Sequence, residues 1–199
     1  MIHFRYILPL IFVMNRLLVL LSALIAGCSM STENLSVNER WALRADHVEI
    51  IRDDFGVPHI YGRTDADAVF GLLYAQCEDD FNRVERNYIW ATGRLAEVEG
   101  ESAIYSDLRA NLYMTQKEAK EKFQNSPAWL QELCVAFADG VNYYLHTHPE
   151  VKPKLLTRFE PWMPMYFSEG SIGGDIERIA TRKIRDFYGK SNEVATVHD

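Results

Sequence analysis

Cysteine is scarce in this sequence: only three occur among 199 residues, at positions 28, 77 and 134. No two of them have the C-x-x-C spacing of zinc sites, so the sequence predicts no structural zinc. Cys77 and Cys134 each lie on the apolar stripe of a predicted helix, which favours two buried free thiols over a bridge. Internal repeats and a Gly-x-Ser-x-Gly nucleophile elbow are also absent.

Acidic residues are missing from the first 28 positions, where Arg5 and Arg16 are the only firm positive charges. The apolar run over 17–26 is too short to span a bilayer well and is typical of the core of a signal peptide. The run ends in Ile25-Ala26-Gly27-Cys28, which resembles the lipobox of bacterial lipoproteins. The sequence therefore predicts a lipoprotein signal over 1–28, with lipidation at Cys28.

Two details of the amino terminus refine this interpretation. Met14-Asn15-Arg16 directly precedes the apolar run, so Met14 is the expected start of a compact signal peptide. The alternative is a signal-anchor helix from Ile7 to Ala26, which Pro9 would interrupt. A lipidated product would be held at a membrane of the cell envelope, facing the periplasm.

The sequence has no excess of positive charge. Its formal net charge is −7, and loss of the two signal arginines leaves 19 basic against 28 acidic residues, a net charge of −9. An acidic body offers no electrostatic footprint for nucleic acid or anionic lipid. Any contact with a membrane is therefore expected through the lipid anchor alone.

The length and composition fit one globular domain preceded by a tether. Residues 29–46 are small and polar, and they predict a polar tether from the lipid to the body. The body spans 47–189, and 190–199 is a tail without a recognisable pattern. The segments 47–53 and 57–62 carry β-branched residues around Asp54-Phe55-Gly56, which predicts a hairpin.

Helical periodicity dominates the rest of the body. A cap at Thr64 or Asp65 begins a long helix that ends at Gly93. Its apolar stripe comprises Phe70, Tyr74, Cys77, Phe81, Val84 and Tyr88. Three more helices are expected, the first from Leu112 to Phe123. The second opens at Ser126-Pro127, and its apolar stripe comprises Leu130, Cys134, Phe137, Val141 and Leu145. The third runs from Ile172 to Tyr188 and stops at Gly189, and its candidate core residues are Ile172, Ile176, Ile179 and Phe187. Four prolines stiffen the connection over 149–166.

The predicted fold is α+β, with one hairpin and about four helices. Two strands rarely persist without a larger sheet, so this portion is expected to be incomplete on its own.

Three stretches resemble the penicillin acylase family of N-terminal-nucleophile hydrolases. The segment 48–62 contains Arg-Asp followed by Gly-Val-Pro-His-Ile, and 65–79 contains Gly-Leu-Leu-Tyr-Ala-Gln-Cys-Glu-Asp. The third stretch is Gly93-Arg94-Leu95-Ala96-Glu97. Their order and spacing also match the start of the family's small α-subunit, and a looser likeness continues to 189.

The resemblance implies the front portion of a four-layer αββα sandwich, made as a self-cleaving precursor. The nucleophile would be the amino-terminal Ser of a large β-subunit, with its own amine as base. Such enzymes hydrolyse the amide of an N-acylated substrate, such as a penicillin, an acyl-homoserine lactone or an acylated peptide. No organic cofactor is implied, and the expected partners are the β-subunit and a hydrophobic acyl amide.

The sequence departs from the family's pattern near its carboxyl end. Lys190-Ser191-Asn192 only echoes the Gly-Ser-Asn junction at which the family's β-subunit begins. Nine residues from Ser191 to Asp199 are too few to carry an oxyanion hole, so a polar tail is the preferred interpretation of this stretch. The resemblance therefore implies no catalytic residue within these 199 positions and favours a truncated or frameshifted gene.

Two further roles are implied by the resemblance. Asp175, or Glu177 in its place, would supply one ligand to a structural calcium ion that the β-subunit completes. Phe167, Met163 and Tyr166 would line part of the acyl pocket, with core packing as the competing interpretation.

Other polar clusters have structural interpretations. Consecutive helix residues point in different directions, so Glu78-Asp79-Asp80 and Glu85 are expected to form ion pairs with Arg83 and Arg86 on a solvated or subunit-facing surface. Arg52-Asp53 and His59 are expected to make structural hydrogen bonds in the hairpin. His146 and His148 do not share a helix face, which argues against a metal pair.

The favoured hypothesis is the α-subunit region of a penicillin acylase-like amidohydrolase. The rival hypothesis is a non-catalytic periplasmic binding lipoprotein derived from the same front half.

Overall fold

The structure is a computed structural model that describes residues 35–166 and 179–195. Over these residues it is mostly helical with a single β-hairpin, as the sequence predicts, although it has seven α-helices where about four were expected. The elements are α1 (Val37–Ala45), β1 (Val48–Arg52), β2 (Pro58–Gly62), α2 (Asp65–Ala91), α3 (Ala96–Glu99), α4 (Ile104–Tyr113), α5 (Gln116–Gln124), α6 (Ala128–Thr147) and α7 (Thr181–Ala195), with short 3-10 turns at Glu101–Ala103 and Met163–Tyr166.

The predicted hairpin is confirmed. Its strands are antiparallel, with Ile50 opposite Ile60 and Arg52 opposite Pro58. The N–H of Asp53 donates to the carbonyl of Val57 across a three-residue loop. Gly56 closes that loop at φ 81°, a left-handed conformation that glycine adopts without strain.

The long helix α2 begins where the sequence predicts. The Thr64 hydroxyl accepts the Asp67 N–H, and the Asp67 carboxylate accepts the Thr64 N–H, which together form a capping box. The helix is interrupted at Asp80, whose φ of −163° and ψ of 79° are not helical. There the Asp80 carboxylate accepts the Arg83 N–H at 3.0 Å and so caps the second half of the helix.

The core lies mainly between α2 and α6. The two helices cross closely at Gly140, where an added Cβ would lie 2.4 Å from the carbonyl oxygen of Phe70. The hairpin lies against α2 at Gly71, where a Cβ would lie 2.5 Å from Val48 Cγ1. The buried cluster comprises Leu73, Cys77, Phe81, Tyr88, Ile89, Leu95, Ala103, Ala138, Val141, Tyr144, Leu156, Phe159 and Met163.

The predicted helix from Leu112 to Phe123 is wrong in its boundaries. Met114 is extended at φ −160° and ψ 130°, and it separates α4 from α5. Thr115 caps α5 in a capping box with Glu118. The pair has the Thr-x-x-Glu spacing that signals a helix start, and this signal outweighs the helical propensity of the preceding residues.

The start of α6 differs from the expectation by one residue. Pro127 is the cap itself, with φ −61° and ψ 152°, and the helix begins at Ala128. The Ser126 hydroxyl donates to the carbonyl of Lys122 at 2.7 Å and so closes the preceding helix.

Part of the predicted tether is helical. Within 29–46, residues 37–45 form α1, whose Trp41 is buried. The Trp41 ring lies 6.1 Å from that of His146, and its side chain hydrogen-bonds Asp139. The polar composition of this segment predicted a tether, but one large apolar side chain is enough to dock this short helix on α6.

The last helix also differs from its prediction. It runs through Gly189 and ends at Ala195, so Gly189 does not stop it. Within 181–189, Ile184 is buried, whereas Phe187 is 71% exposed and is not a core residue. Ile172 and Ile176 lie outside the described residues. No helix in the described parts of the chain is both long and apolar enough to cross a membrane.

Candidate functional site

Four of the predicted site residues lie outside the described residues. These are Cys28, Phe167, Asp175 and Glu177. Their roles in lipidation, acyl binding and calcium binding stay predictions. Met163 and Tyr166 are described, and both belong to the 3-10 turn Met163–Tyr166, which we call the pocket turn.

Met163 packs into the core. It is buried within the main cluster, and its sulfur accepts the Glu160 N–H at 3.5 Å. The Met163 N–H donates to the carbonyl of Glu160 at 3.0 Å, which closes the turn. Met163 therefore fixes the pocket turn to the core. Its role in lining the acyl pocket stays a prediction.

Tyr166 lies at the half-buried end of the pocket turn. Its ring meets that of Trp162 edge-on, with the ring centroids 6.1 Å apart. Lys120 of α5 places its Nζ 5.2 Å from the centroid of the Trp162 ring, a cation–π contact. Burial is the main cause that raises the pKa of the Tyr166 hydroxyl, and the negative charge of Glu118 raises it further. The hydroxyl therefore remains a neutral hydrogen-bond donor.

Glu85 holds the chain that leads to the pocket turn. Its carboxylate is fully buried. One oxygen, Oε2, accepts the Lys154 N–H at 2.9 Å, and Oε1 accepts those of Leu155 at 2.8 Å and Leu156 at 2.9 Å. The sequence-based interpretation of Glu85 as a surface ion-pair partner is therefore wrong.

A signal for the burial of Glu85 was present in the sequence. Glu85 follows Phe81 by four positions and precedes Ile89 by four, so it lies on the buried stripe of α2. A carboxylate in such a position must find hydrogen-bond donors in the interior.

Asn142 makes a second attachment of the same segment. Its amide nitrogen donates to the Phe159 carbonyl at 2.8 Å, and its amide oxygen accepts the Phe159 N–H at 2.9 Å. Both residues are buried. Because residue 159 lies in neither a helix nor a strand, these side-chain bonds satisfy its buried backbone groups.

The hairpin turn is held by the structural hydrogen bonds that the sequence predicts. The Asp53 carboxylate accepts the N–H groups of Phe55 and Val57, each at 2.9 Å, and its other oxygen lies 3.2 Å from His59 Nε2. The pKa of Asp53 is lowered mainly by the hydrogen bond from the Val57 N–H and to a lesser extent by that with His59. The Arg52 guanidinium donates to the Gly56 carbonyl at 3.0 Å.

The acidic residues near the kink of α2 form ion pairs, but Glu78 and Asp79 meet at Arg52 of the hairpin, so their predicted pairing with Arg83 and Arg86 is wrong. Arg52 pairs with Glu78 at 3.0 Å and with Asp79 at 2.9 Å. Asp80 pairs instead with Arg83, at 3.2 Å. Across 35–166 and 179–195, no three metal-binding side chains come together.

Arg86 and the carboxyl-terminal histidines of α6 also have structural partners. Arg86 pairs with Glu99 at 2.6 Å, so its predicted pairing within the acidic stretch of α2 is wrong. The ring of His148 stacks on that of Tyr144 with the centroids 4.2 Å apart, whereas the ring of His146 faces Trp41. The two histidines have separate surroundings, as the sequence predicts.

Cys77 and Cys134 are buried free thiols, which confirms the favoured interpretation. The pKa of Cys77 is raised to about 12, mainly by burial and to a lesser extent by the negative charge of Glu78. Burial also raises the pKa of Cys134. Burial of the neutral thiol stabilises the fold below pH 9.0, and this contribution is lost as the pH rises from 9.0 towards about 12.

Both thiols are expected to resist modification in the folded chain. In a Cys28→Ser variant at pH 8, the disulfide reagent DTNB should react at least roughly 100-fold more slowly with the native than with the urea-unfolded protein, because the thiolate is the reactive form. The absorbance of the released thiolate gives both rates. Stoichiometric labelling of the native protein within seconds would contradict the buried, protonated state.

The pattern of elements and motifs agrees with a known family. A family model described as penicillin amidase matches residues 47–191. The chain belongs to the penicillin amidase family. The match includes the hairpin, the long helix α2 and the pocket turn.

Relatives within the penicillin amidase family are acylases, that is, amide hydrolases. Acyl-homoserine lactone acylase QuiP of Pseudomonas aeruginosa is 32% identical over 124 residues, which are 60% of this chain and 15% of that protein. Penicillin acylase 2 proenzyme of Pseudomonas sp. strain SE83 is 28% identical over 122 residues, which are 60% of this chain and 16% of that protein. The matched part of the chain thus spans about one sixth of these relatives.

A solved structure supports the shared fold. A thermostable penicillin G acylase from Alcaligenes faecalis has a TM-score of 0.53 and 21% identity, over 60% of this chain and 69% of that chain. This likeness confirms the expectation that the chain has part of a penicillin acylase fold.

Proposed function

We propose that this chain is the α-subunit region of an acylase that hydrolyses the amide of an N-acylated substrate. The substrate would be a β-lactam, an acyl-homoserine lactone or an acylated peptide. A second segment of the same precursor would supply the nucleophilic Ser and the oxyanion hole. The observation that carries the proposal is the family match over 47–191, with relatives that are acylases by name.

The lengths of the relatives support a two-segment enzyme. The matched region is 15–16% of the curated acylases, and one of these is described as a proenzyme. A structural match to 60% of this chain covers 69% of the solved penicillin G acylase chain. The polypeptide in that structure is therefore much shorter than the curated acylases.

The outer face of the hairpin supports a partner segment. Val48, Ile50 and Ile60 face α2, whereas Ile51 and Tyr61 point away from it and are exposed. An antiparallel sheet with one solvated face normally carries polar side chains on that face. Exposed apolar side chains there are typical of a surface that another polypeptide covers.

Hydrogen bonds hold the tip of the hairpin, and its two strands have no further strand partner among the described residues. Phe55, at its tip, is 92% exposed. The surrounding turn is fixed by the hydrogen bonds of Asp53 and Arg52. Within the described residues the two strands pair only with each other, so each keeps one edge available for a strand of the second segment.

The remaining site assignments belong to the same proposal. Phe167, Met163 and Tyr166 would line one side of the acyl pocket. Asp175 and Glu177 carry the hard oxygen ligands that calcium prefers, and one of them would complete a site on the second segment. Lipidation at Cys28 would hold the enzyme at a membrane, on the periplasmic side.

The test is reconstitution. The DNA directly after codon 199 is sequenced, and any reading frame that begins near a Gly-Ser-Asn junction is expressed as a separate segment. We expect hydrolysis of acyl amides from the mixture and from neither part alone, and no hydrolysis when the junction Ser is replaced by Ala. A monomeric chain that melts cooperatively and binds acyl amides without any such segment would support the binding lipoprotein instead.

The hairpin face gives a second prediction. Ile51→Asp should weaken association with the second segment by roughly tenfold or more, because it would bury an unpaired charge in the interface. The matched control is Leu112→Asp, which changes an exposed leucine of α4. Association is measured by titration with the labelled second segment. Equal affinities of the two variants would contradict the assignment of this face.

A further inference from the structure

We infer that Glu85 is a positioning residue for the acyl specificity of this enzyme, because its buried carboxylate fixes the chain that carries the pocket turn. The inference rests on the proposed function, in which the pocket turn lines the acyl pocket. It concerns a residue of the long helix α2, whose carboxylate binds backbone amides 69 to 71 positions further along the chain.

The bonds of Glu85 define one position of the segment. Three successive N–H groups, those of Lys154, Leu155 and Leu156, converge on two carboxylate oxygens at 2.8–2.9 Å. Successive amides that point to one side form an anion-binding nest. Charge-assisted bonds of this kind offset the cost of burying the carboxylate, and they also restrict the direction of each amide.

The constraint continues from the nest to the pocket turn. Leu156 and Phe159 are buried, and Asn142 holds Phe159 at both its N–H and its carbonyl. The Met163 N–H then donates to the carbonyl of Glu160, and that of Met165 to the carbonyl of Trp162. The pocket turn therefore has its position set by α2 through Glu85 and by α6 through Asn142.

Specificity depends on such positions. Displacement of a group in an enzyme site by about 1 Å can change a rate by roughly 100-fold. A wall of the acyl pocket that shifts or loosens changes the fit of a flat aromatic acyl group and of a linear one to different extents. Loss of the Glu85 bonds should therefore change which acyl group is preferred.

The variant for the test is Glu85→Gln. It keeps the side-chain volume, but its amide NH₂ must face at least one of the three N–H donors. Glu85→Asp is the second variant, because it keeps the charge and draws the carboxylate back by one methylene. The matched control is Glu99→Gln, which changes an exposed carboxylate paired with Arg86.

The first measurement uses the full chain alone. Hydrogen exchange should become at least roughly tenfold faster in Glu85→Gln at the amides of Leu155, Leu156, Met163 and Met165, and less so in Glu85→Asp. Glu99→Gln should leave these rates unchanged. Unchanged protection of Met163 and Met165 in Glu85→Gln would overturn the coupling to the pocket turn, whatever the outcome of reconstitution.

The second measurement uses the reconstituted enzyme. The ratio of kcat/KM for phenylacetyl and octanoyl amides of the same amine should change by roughly tenfold or more in Glu85→Gln, and by less in Glu85→Asp. An unchanged ratio, including one in which kcat/KM falls equally for both substrates, would overturn the specificity role. A wild-type mixture that hydrolyses neither amide would contradict the proposed function itself, and the exchange measurement would still decide the positioning role.

Discussion

Replacement of Gly140 by alanine is expected to lower the free energy of unfolding by about 3 kcal/mol or more. The new Cβ would lie 2.4 Å from the Phe70 carbonyl oxygen and 3.1 Å from Leu73 Cβ. The first neighbour is helix backbone, so relief of the clash requires α2 and α6 to move apart. This cost exceeds the roughly 0.5–1 kcal/mol that alanine gains over glycine in a helix.

The same substitution at Gly189 is the control. Gly189 lies in α7, and an added Cβ would meet nothing within 4 Å. Gly189→Ala should therefore raise stability by about 0.5–1 kcal/mol, opposite in sign to Gly140→Ala. Urea unfolding followed by circular dichroism measures both values. A loss smaller than about 1 kcal/mol for Gly140→Ala would contradict the close crossing of the helices.

Phe159→Ala is expected to destabilise the chain by about 3–5 kcal/mol. The Phe159 ring is almost fully buried and packs edge-on against Tyr88 at 5.0 Å and Phe81 at 6.3 Å. Its removal leaves a cavity between α2 and α6, because the backbone of residue 159 remains held by Asn142 and cannot collapse freely into the space. The free energy of unfolding is again the measured quantity.

Phe187→Ala provides the comparison for this prediction. Phe187 is 71% exposed on α7, so its truncation should change stability by no more than about 0.5 kcal/mol. Similar losses from the two phenylalanine variants would mean that Phe159 does not occupy the core position assigned to it.

Local sequence signals predicted much of the body correctly. The hairpin follows from β-branched segments around a Gly-containing turn, and α2 follows from its cap at Thr64 and its apolar stripe. Of that stripe, Phe70, Cys77, Phe81 and Tyr88 are buried. These features depend on residues a few positions apart, which periodicity and capping chemistry report directly.

The predictions at the two ends of the body are wrong, because each relied on a local feature of the sequence. A polar segment was assigned to the tether although Trp41 docks α1 against α6. Gly189 was assigned as a helix stop although α7 continues through it. One buried aromatic side chain outweighs polar neighbours in the first case, and the modest helix cost of a single glycine is tolerated in the second.

The sequence by itself determined the mostly helical class, the hairpin, the start of the long helix and the family to which the chain belongs. Only the tertiary structure decided the position of the pocket turn and the role of Glu85. The Glu85 carboxylate binds backbone N–H groups about 70 positions away, and backbone amides carry no side-chain identity for a sequence pattern to report. Likewise, the close crossing at Gly140 exists only because α2 and α6 pack together, since no local signal distinguishes that glycine from Gly189.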